Sequence, residues 1–547
     1  MERNWKRLKP HLGLLGVLFA VCLGLAALYW ARQMALTADG VPLDDAWIYF
    51  QFARMGAQGR LGEFNAGEPV TGITGPLWAL VLIPLHALAG EHLNLFLVLV
   101  KGLGIFLYCA GVGAMYALGH AIFRSRQAGL AAGLFLALMP KNIWGALSGM
   151  ESPLLVFLLL VALNLMVRCR SAGWGRDFWA PLVIGLAGQT RPEANLLYVI
   201  FVVYQVLFWL RDGRPVSARR LIGDLLKQAG VFVLVMAPNV VYTYVLTGHP
   251  LANTFYAKTR GFNWAASLRF FAFGNLMLWT DPPATATFSQ MAVWPPRSAG
   301  LAVMLTYAGL KAILVLALFG WGVRSAICSN EQDARHGALS SSFLAVLPAL
   351  AWLAGDFLLY TIFFTRANRH YFVPMLPPIA LLCGGGLAAL LQRPRPGRYV
   401  APALGIVFAF FAVGAIDWAN EYAWNVKNIN DQQVAIGRWV DMNLPADAVL
   451  AINDVGAIKY FSQRRIVDVT GLLTPALLPY SRTGRKMEYL RQVAPDYLIV
   501  YDSWFPEAAQ WEGFQPIAEF RLHFNTIAGG DTVRIYQVLS FPPAEGG

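Results

Sequence analysis

Long apolar runs, separated by short polar or basic segments, fill the chain from near its start to about residue 417. A helix needs about 20 predominantly apolar residues to cross roughly 30 Å of hydrocarbon. The apolar segment 76–90 is shorter than this, and we interpret it as a re-entrant or juxtamembrane piece. The pattern indicates a polytopic α-helical membrane protein. We predict eleven transmembrane helices, at residues 12–31, 93–123, 128–146, 152–168, 178–190, 194–210, 228–247, 300–324, 340–364, 373–391 and 400–417.

The first apolar run follows a basic stretch, as it would in a signal peptide. However, this run extends over about 20 residues and ends at Tyr29 and Trp30 without a small-residue cleavage site. We therefore expect a first helix that is retained in the membrane.

Basic residues cluster in alternate segments between the predicted helices. With eleven spans, the basic segments 124–126, 168–176, 211–220 and 393–398 all lie on the side of the N-terminus. Short cytoplasmic loops carry an excess of Lys and Arg, so this side is predicted to be cytoplasmic. The loop after the first span and everything after residue 418 then face the extracytoplasmic side.

Composition agrees with a membrane protein. Hydrophobic residues make up 57% of the 547 residues and charged residues 14%, whereas soluble domains carry about 25% charged residues. The net charge of +12 is concentrated in short loops, where it serves topology, so nucleic acid is not expected as a partner. All five cysteines lie in or beside apolar segments, and we predict neither a disulfide framework nor a Cys-based metal site.

The chain changes character after about residue 420. Residues 431–444 are typical of an amphipathic helix, and residues 449–454, 496–502 and 532–541 of strands. We predict a transmembrane catalytic domain over residues 1–418, with its first extracytoplasmic loop at 32–92. A mixed α/β domain would follow at 419–547 on the extracytoplasmic side.

The most unusual polar feature is the adjacent pair Asp44 and Asp45, which follows the first predicted span. Charged residues beside the hydrocarbon are costly and invite a functional interpretation. Other ionisable residues on the same side stand at the ends of different helices, so one cavity could collect them. They are Arg54, Glu63, Glu68, Glu151, Arg191, Glu193, His249, Lys258, Arg260, Arg366, Arg369 and His370.

These residue types suit the transfer of a group from a phosphate-linked, membrane-resident donor. A carboxylate can act as general base on an acceptor hydroxyl, and Lys or Arg can bind a phosphate and stabilise it as a leaving group. Aromatic residues of the first loop, such as Trp47, would suit a sugar face or a lipid chain. An aromatic belt at the membrane interface is the simpler explanation for them.

Three stretches make the chain resemble the GT-C superfamily of polyprenyl-phosphate-sugar-dependent glycosyltransferases. DDAWIYFQFARMGAQGRLGEFNAGEPVTGITGPLW at 44–78 is similar to the first loop of actinobacterial arabinofuranosyltransferases and their bacterial relatives. HPLANTFYAK at 249–258 resembles the Pro-Asn-Thr-Tyr-Tyr-Ala-Lys type segment of that group, with Ala252 where proline is common. NRHYFVPMLPPIALL at 368–382 resembles the opening of a late helix in many members.

The resemblance implies a GT-C fold in the bacterial cytoplasmic membrane and an inverting transfer of a sugar, with arabinofuranose as first choice. The donor would be a polyprenyl-phosphate sugar, and the acceptor a hydroxyl of an envelope glycan, a lipid or a protein. Asp44 would be the catalytic base, and Asp45 would orient substrate hydroxyls. We predict that the donor phosphate is bound by Lys258, Arg191, Arg369, His370, Tyr256 and Asn253, and other substrate parts by Glu151, Glu193, Trp47 and Glu68.

Several of these residues also have a structural explanation. Asp45 fits a helix N-cap, Lys258 a snorkelling interfacial lysine, and Glu151 a first-turn acid favoured by the helix dipole. Arg191 and Glu193 would suit an ion pair between two half-length helices that are broken at Pro192. The remaining basic candidates, Arg366, Arg369 and His370, would then be ordinary flanking charges.

Several functional alternatives remain open at this stage. A divalent metal would find hard ligands in Asp44, Asp45 and Glu151 or His249, although their spacing fits no dedicated metal motif. A flippase or transporter for lipid-linked sugars would also gather cations and aromatics in a membrane cavity. A ligase or polymerase that moves a whole glycan is the closer competitor. The tail domain would hold the acceptor, act as a lid or stabilise the fold.

Overall fold

The computed structural model describes residues 2–172, 178–213, 215–258, 263–279, 297–328, 341–363, 369–392 and 400–542. Helices dominate the part before residue 430. In chain order they are α1 (Glu2–Leu36), α2 (Asp44–Ala57), α3 (Pro76–Ala89), α4 (Leu93–Phe123), α5 (Arg126–Leu138), α6 (Pro140–Leu147), α7 (Ser152–Ala172), α8 (Trp179–Thr190), α9 (Leu196–Arg211), α10 (Ala218–Thr247), α11 (Asn253–Lys258), α12 (Trp264–Trp279), α13 (Arg297–Cys328), α14 (Ser341–Phe363), α15 (Leu376–Leu391) and α16 (Val400–Ile429).

Each of the eleven predicted spans coincides with a helix or a pair of helices. Seven of the described helices are long and apolar enough to cross a membrane, and the pair α5 and α6, bent by 61°, makes an eighth if it counts as one span. Helix α8 has only 12 residues, or about 18 Å at 1.5 Å per residue, so it is too short to cross alone. It meets α9 at the 3₁₀ turn Pro192–Asn195, where Pro192 predicted a break.

Glycines allow the central helices to approach closely. A Cβ added to Gly386 of α15 would lie 2.1 Å from the carbonyl oxygen of Leu318 in α13, and one added to Gly322 of α13 would lie 2.0 Å from that of Leu382. A Cβ added to Gly384 of α15 would likewise lie 2.4 Å from the backbone nitrogen of Ala132 in α5. Small residues at helix contacts let backbones pack in a membrane, where apolar side chains gain little by association alone.

The C-terminal part forms a mixed α/β domain around a five-stranded sheet. Its strands are β3 (Val449–Ile452), β4 (Arg465–Asp468), β5 (Tyr497–Tyr501), β6 (Phe514–Arg521) and β7 (Thr532–Val538), in the spatial order β4-β3-β5-β7-β6. The first three are parallel to each other, whereas β7 is antiparallel to β5 and β6. The short helices are α17 (Ala435–Asn443), α18 (Gly456–Ser462), α19 (Leu478–Arg482), α20 (Lys486–Val493) and α21 (Pro506–Gln510).

This architecture confirms the predicted polytopic helical protein with a C-terminal α/β domain. The three predicted strands correspond to β3, β5 and β7, while β4 and β6 were not predicted. Helix α16 runs from the last predicted span through residue 418 and reaches Ile429 without a break, and a π turn over Asn430–Val434 leads into α17. The proposed boundary at residue 418 therefore falls inside a continuous helix.

The domain is packed on the loop between α1 and α4. This loop contains α2, α3 and a small hairpin of β1 (Glu63–Asn65) and β2 (Glu68–Pro69). The guanidinium of Arg54 lies 3.7 Å from the ring centre of Tyr460 in α18 and donates to the Tyr460 carbonyl at 2.7 Å. Trp47 packs on the Tyr460 and Phe461 rings at 5.0 and 4.9 Å. Helix α2 and the C-terminal domain consequently share one hydrophobic core.

Substitution of Gly386 by Ala is expected to destabilise the helix contact between α13 and α15. The added methyl group would overlap a backbone carbonyl, which cannot rotate away, and overpacking of this kind costs about 1–3 kcal/mol. The matched control is Gly320→Ala, on α13, where an added Cβ has open space. Melting temperatures in detergent should fall for Gly386→Ala only, and equal values for both variants would refute the tight crossing.

Candidate functional site

A cavity of about 430 Å³ lies where the membrane helices meet the C-terminal domain. Its walls come from α2, the loop before α3, the junctions α6–α7 and α8–α9, the segment around α11, the end of α14 and the 3₁₀ turn Arg369–Met375. The C-terminal domain contributes Leu472. The polar lining residues include Asp45, Tyr49, Thr74, Glu151, Arg191, Glu193, Thr254, Lys258, Tyr360, His370 and Tyr371.

Asp45 and Lys258 form a pair of opposite charges on the cavity wall. Asp45 Oδ2 lies 4.0 Å from Lys258 Nζ, and their side chains are 38% and 31% exposed. Asp45 stands in the first turn of α2, and Lys258 is the last residue of α11. At this separation the two groups attract each other without a close hydrogen bond, so each can also contact a ligand.

Helix α11 is fixed by hydrogen bonds to the loop before α3. The Asn253 backbone N–H donates to the Thr71 carbonyl at 3.1 Å, and the Thr254 hydroxyl donates to the Gly72 carbonyl at 2.5 Å. These two hydrogen bonds hold the segment HPLANTFYAK in place, with Lys258 on the cavity wall.

Asp44 occupies a different environment from Asp45. It is 8% exposed and does not line the cavity. Its two carboxylate oxygens accept the backbone N–H groups of Gly456 at 2.7 Å and Ala457 at 2.8 Å, at the start of α18. Asp45 is not the predicted N-cap either, because α2 begins at Asp44 with Leu43 at the cap position. Asp45 therefore lines the cavity, whereas Asp44 does not.

Arg191 is the centre of a buried polar network. Its Nε donates to Glu193 Oε1 at 2.5 Å, its Nη2 donates to the Tyr360 hydroxyl at 2.6 Å, and its Nη1 lies 3.3 Å from Glu151 Oε1. Tyr360 in turn donates to Glu193 Oε1 at 2.5 Å. The guanidinium therefore neutralises carboxylates that would otherwise be buried without a counter-charge. This arrangement matches the ion-pair explanation for Arg191 and Glu193, while Nη1 has no hydrogen-bond partner among the described residues and Arg191 lines the cavity.

Glu151 keeps one unused acceptor. It is 2% exposed, and its Oε2 has no hydrogen-bond partner among the described residues. A buried carboxylate oxygen without a donor costs free energy. Because Glu151 lines the cavity, a ligand hydroxyl could satisfy this oxygen.

His370 also lines the cavity and is 5% exposed, with its ring 4.4 Å from that of Tyr371. Tyr371 stacks on Tyr360 at 4.8 Å, which connects this corner to the Arg191 network. The predicted phosphate ligand Arg369 begins the same 3₁₀ turn, but its side chain lies outside the described part of the structure, as does all of Arg366.

Four other predicted substrate ligands do not line the cavity. Trp47 is 1% exposed and belongs to the core shared with α18. Glu68 accepts from Arg465 Nε at 2.7 Å and lies at the domain contact. Asn253 is buried and holds α11 through its backbone, while Tyr256 presents its carbonyl to Arg482. Trp47 and Glu68 thus have structural contacts of their own, whereas the buried Nδ2 of Asn253 has no hydrogen-bond partner among the described residues.

Sequence reasoning missed Tyr360, Tyr371 and Asp356. The two tyrosines are conspicuous only after folding, because nothing in their spacing marks them. Asp356 had a signal, since it is a carboxylate within the apolar helix α14, and intramembrane acids are functional candidates. It is 0% exposed, and neither oxygen has a hydrogen-bond partner among the described residues.

The residues proposed as metal ligands do not converge. Asp44 is bound to backbone amides, and the described residues contain no group of three or more His, Cys, Asp or Glu side chains that could hold a metal ion. Among the described residues these donors therefore do not fit a divalent metal site.

Two buried acids meet at the contact between α2 and the C-terminal domain. Burial raises the pKa of Asp44 well above its usual range, and repulsion from Asp454 raises it further, against the hydrogen bonds from Ala457 and Gly456. Burial also raises the pKa of Asp454, which accepts from the Tyr501 hydroxyl at 2.6 Å. The folded state therefore favours a proton on this pair.

A protein-family profile for a domain of unknown function, DUF8728, matches residues 427–536 and so covers the C-terminal domain. No curated protein sequence matches the chain.

Solved structures share the fold over almost the whole chain. ArnT from Cupriavidus metallidurans, in the apo state, is 13% identical and aligns with a TM-score of 0.58 over 96% of this chain and 98% of its own. The same protein bound to undecaprenyl phosphate gives the same values. The apo oligosaccharyltransferase of Archaeoglobus fulgidus, 13% identical, aligns with a TM-score of 0.58 over 95% of this chain and 74% of its own. The chain therefore has the GT-C fold.

The stability of the Asp454→Asn variant should depend on pH in a defined sense. Above the unfolded pKa of about 4, the wild-type fold binds more protons than the unfolded chain, so its stability falls as the pH rises. The asparagine amide of the variant cannot ionise, and it removes the repulsion on Asp44. The melting temperature of the variant, relative to the wild type, should therefore rise between about pH 4 and pH 8. A difference that is constant or falls with pH would contradict the raised pKa values.

Proposed function

We propose that the chain is a membrane glycosyltransferase that moves a sugar from a polyprenyl-phosphate donor to a hydroxyl group with inversion. The observation that carries the proposal is the pair of Asp45 and Lys258, which places a carboxylate and an ammonium 4.0 Å apart on one cavity wall. The proposed setting is the extracytoplasmic face of a bacterial cytoplasmic membrane, with a glycan, lipid or protein as acceptor. The GT-C fold supports the proposal.

The cavity suits a lipid phosphate because it combines a cation with an apolar side. Leu196 and Val199 of α9 face Leu359 and Phe363 of α14 along its lining. Val199 and Phe363 are 57% and 43% exposed, so this side is open towards the membrane. An isoprenoid chain would pack there while its phosphate meets Lys258, a charge-assisted contact. Undecaprenyl phosphate is the ligand of the structurally similar ArnT.

The reaction is a single displacement at the anomeric carbon. The Asp45 carboxylate accepts the proton of the acceptor hydroxyl, and the hydroxyl oxygen forms a bond to the anomeric carbon. The bond between that carbon and the phosphate oxygen breaks, and its electron pair leaves with polyprenyl phosphate. Lys258 stabilises the charge that develops on the departing phosphate. One displacement inverts the configuration of the sugar.

Asp45 replaces Asp44 as the proposed base for a geometric reason. A general base must come within hydrogen-bond reach of the proton that it removes. Asp44 is buried with both oxygens bound to backbone amides, whereas Asp45 is 38% exposed on the cavity wall. The resemblance implies Asp44, and the comparison of the two Asn variants decides between them.

The carboxylates deeper in the cavity are proposed to bind the sugar. Glu151 Oε2 has no donor among the described residues and would accept a sugar hydroxyl, while Arg191 holds Glu151 and Glu193 in place. His370 and Tyr371 line the cavity beside the Arg191 network. Arabinofuranose remains the first choice on sequence resemblance alone, and related pentoses and hexoses belong in the same assay.

Transfer by Asp45→Asn membranes is expected to be at least about 100-fold slower than wild type, because loss of a general base removes about 10²–10⁴ in rate. The assay supplies membranes containing the full chain with radiolabelled undecaprenyl-phosphate sugars, arabinofuranose among them. It measures released undecaprenyl phosphate and label in the acceptor fraction. Asp44→Asn should retain more activity than Asp45→Asn.

The matched control is Asp224→Asn, which removes a 3.9 Å ion pair with Lys227 on α10 and should transfer at the wild-type rate. If Asp45→Asn is as active as the wild type while Asp44→Asn is inactive, the base is Asp44. If the wild type releases no polyprenyl phosphate from any donor, the proposed enzyme class is wrong.

A further inference from the structure

We infer that the C-terminal domain is a working part of the active site, which holds Asp45 and Lys258 in register through contacts with three elements of the cavity. The inference rests on the proposed transfer reaction. It assigns positioning roles to Asp44, Gly456, Leu473 and Arg482, none of which lines the cavity.

The first contact holds α2, the helix of Asp45. Asp44 immediately precedes Asp45, and its carboxylate is held by the N–H groups of Gly456 and Ala457 at 2.7 and 2.8 Å. A Cβ on Gly456 would lie 2.1 Å from the Asp44 carbonyl oxygen and 2.8 Å from Oδ2. Only glycine allows this approach, so the start of α18 is fitted to the first turn of α2.

The amides that bind Asp44 are themselves held by the core of the domain. Asp454, two residues before Gly456, accepts from the Tyr501 hydroxyl at 2.6 Å and from Gln433 Nε2 at 2.9 Å. Tyr501 ends the central strand β5, and Gln433 belongs to the π turn after α16. The position of α2 is therefore set by the sheet and by the helix that connects it to the membrane.

The second contact covers the loop before α3. A Cβ on Gly72 would lie 2.0 Å from Leu473 Cδ2 and 3.3 Å from the Leu472 carbonyl oxygen. The Leu473 N–H donates to the buried carboxylate of Asp468 at 2.9 Å, which ties this loop to the end of β4. The Gly72 carbonyl also accepts the Thr254 hydroxyl. The domain therefore contacts α11 through the loop before α3.

The third contact is made directly to α11, the helix that ends at Lys258. Arg482 Nη2 donates to the Tyr256 carbonyl at 3.3 Å, two residues before Lys258 in the six-residue helix α11. A helix this short has little stability of its own and takes its position from such contacts. The domain thus contacts α2, the loop before α3 and α11.

This arrangement predicts that two variants of the domain affect different kinetic constants. Gly456→Ala displaces α18 from Asp44 and therefore acts on the Asp45 side. Misplacement of a reacting group by about 1 Å can cost about 100-fold in rate, so kcat should fall at least about tenfold while the donor KM stays within about twofold. Arg482→Ala acts on the Lys258 side and should raise the donor KM about threefold, with kcat nearly unchanged.

The experiment measures kcat and donor KM for the purified full chain in nanodiscs, together with the Kd for undecaprenyl phosphate, which requires no turnover. Rates are normalised to folded protein from thermal unfolding, since Gly456→Ala also strains the domain contact. The control variant is Ile517→Ala, on the outer strand β6, where Ile517 is 37% exposed, and it should match the wild type.

A fall in kcat for Gly456→Ala, together with weaker undecaprenyl phosphate binding for Arg482→Ala, supports the positioning role. If both variants keep wild-type kcat, KM and Kd per folded molecule, the domain is only a stabilising cap and the inference is wrong. If the wild type shows no transfer but Arg482→Ala still weakens undecaprenyl phosphate binding, the proposed reaction is wrong, while the positioning of Lys258 by Arg482 is supported.

Discussion

The paired hydrogen bonds from Gly456 and Ala457 to the Asp44 carboxylate join the two halves of the protein. They cross more than 400 positions of the sequence and meet at the first turn of α2. Backbone amides at the start of α18 need acceptors, and a buried carboxylate needs donors, so each group satisfies the other. The cost of burying Asp44 is thereby partly offset, and its neighbour Asp45 is directed into the cavity.

The charged residues of the cavity differ in how many contacts they already make. Arg191 contacts Glu151, Glu193 and Tyr360 and so makes two buried acids tolerable. Among the described residues, Lys258 has an ion pair with Asp45 alone, at 4.0 Å, which leaves its ammonium capacity for a phosphate. The division follows from elementary electrostatics, since buried charges must be paired, whereas a partly exposed ammonium can exchange water for a ligand. The buried ion pairs of Arg191 and the partly exposed pair of Asp45 and Lys258 therefore lie side by side in one cavity.

Much of this fold could be predicted from the sequence because membrane spans and amphipathic elements leave strong patterns. The long apolar runs located most helices of the membrane part, short apolar runs located β3 and β5, and a closing strand was predicted at β7. Strand β4 begins and ends on a charged residue, and β6 alternates over an exposed edge, so neither shows a clear hydrophobic run. Within the site, the different burial of Asp44 and Asp45 was hidden because it depends on α18, which lies about 410 residues further along the chain. The packing of Trp47 was hidden for the same reason, since its ring lies on Tyr460 and Phe461.

Binding of undecaprenyl phosphate tests the central claim most directly, because it requires neither the sugar nor the acceptor to be known. The comparison is between the wild type, Lys258→Met and the matched control Lys227→Met, whose lysine is 69% exposed on α10. A charge-assisted hydrogen bond contributes about 1.5–3 kcal/mol, so Lys258→Met should bind at least about tenfold more weakly, and the control should match the wild type. Equal affinity for all three proteins would contradict the assignment of this cavity to a lipid phosphate.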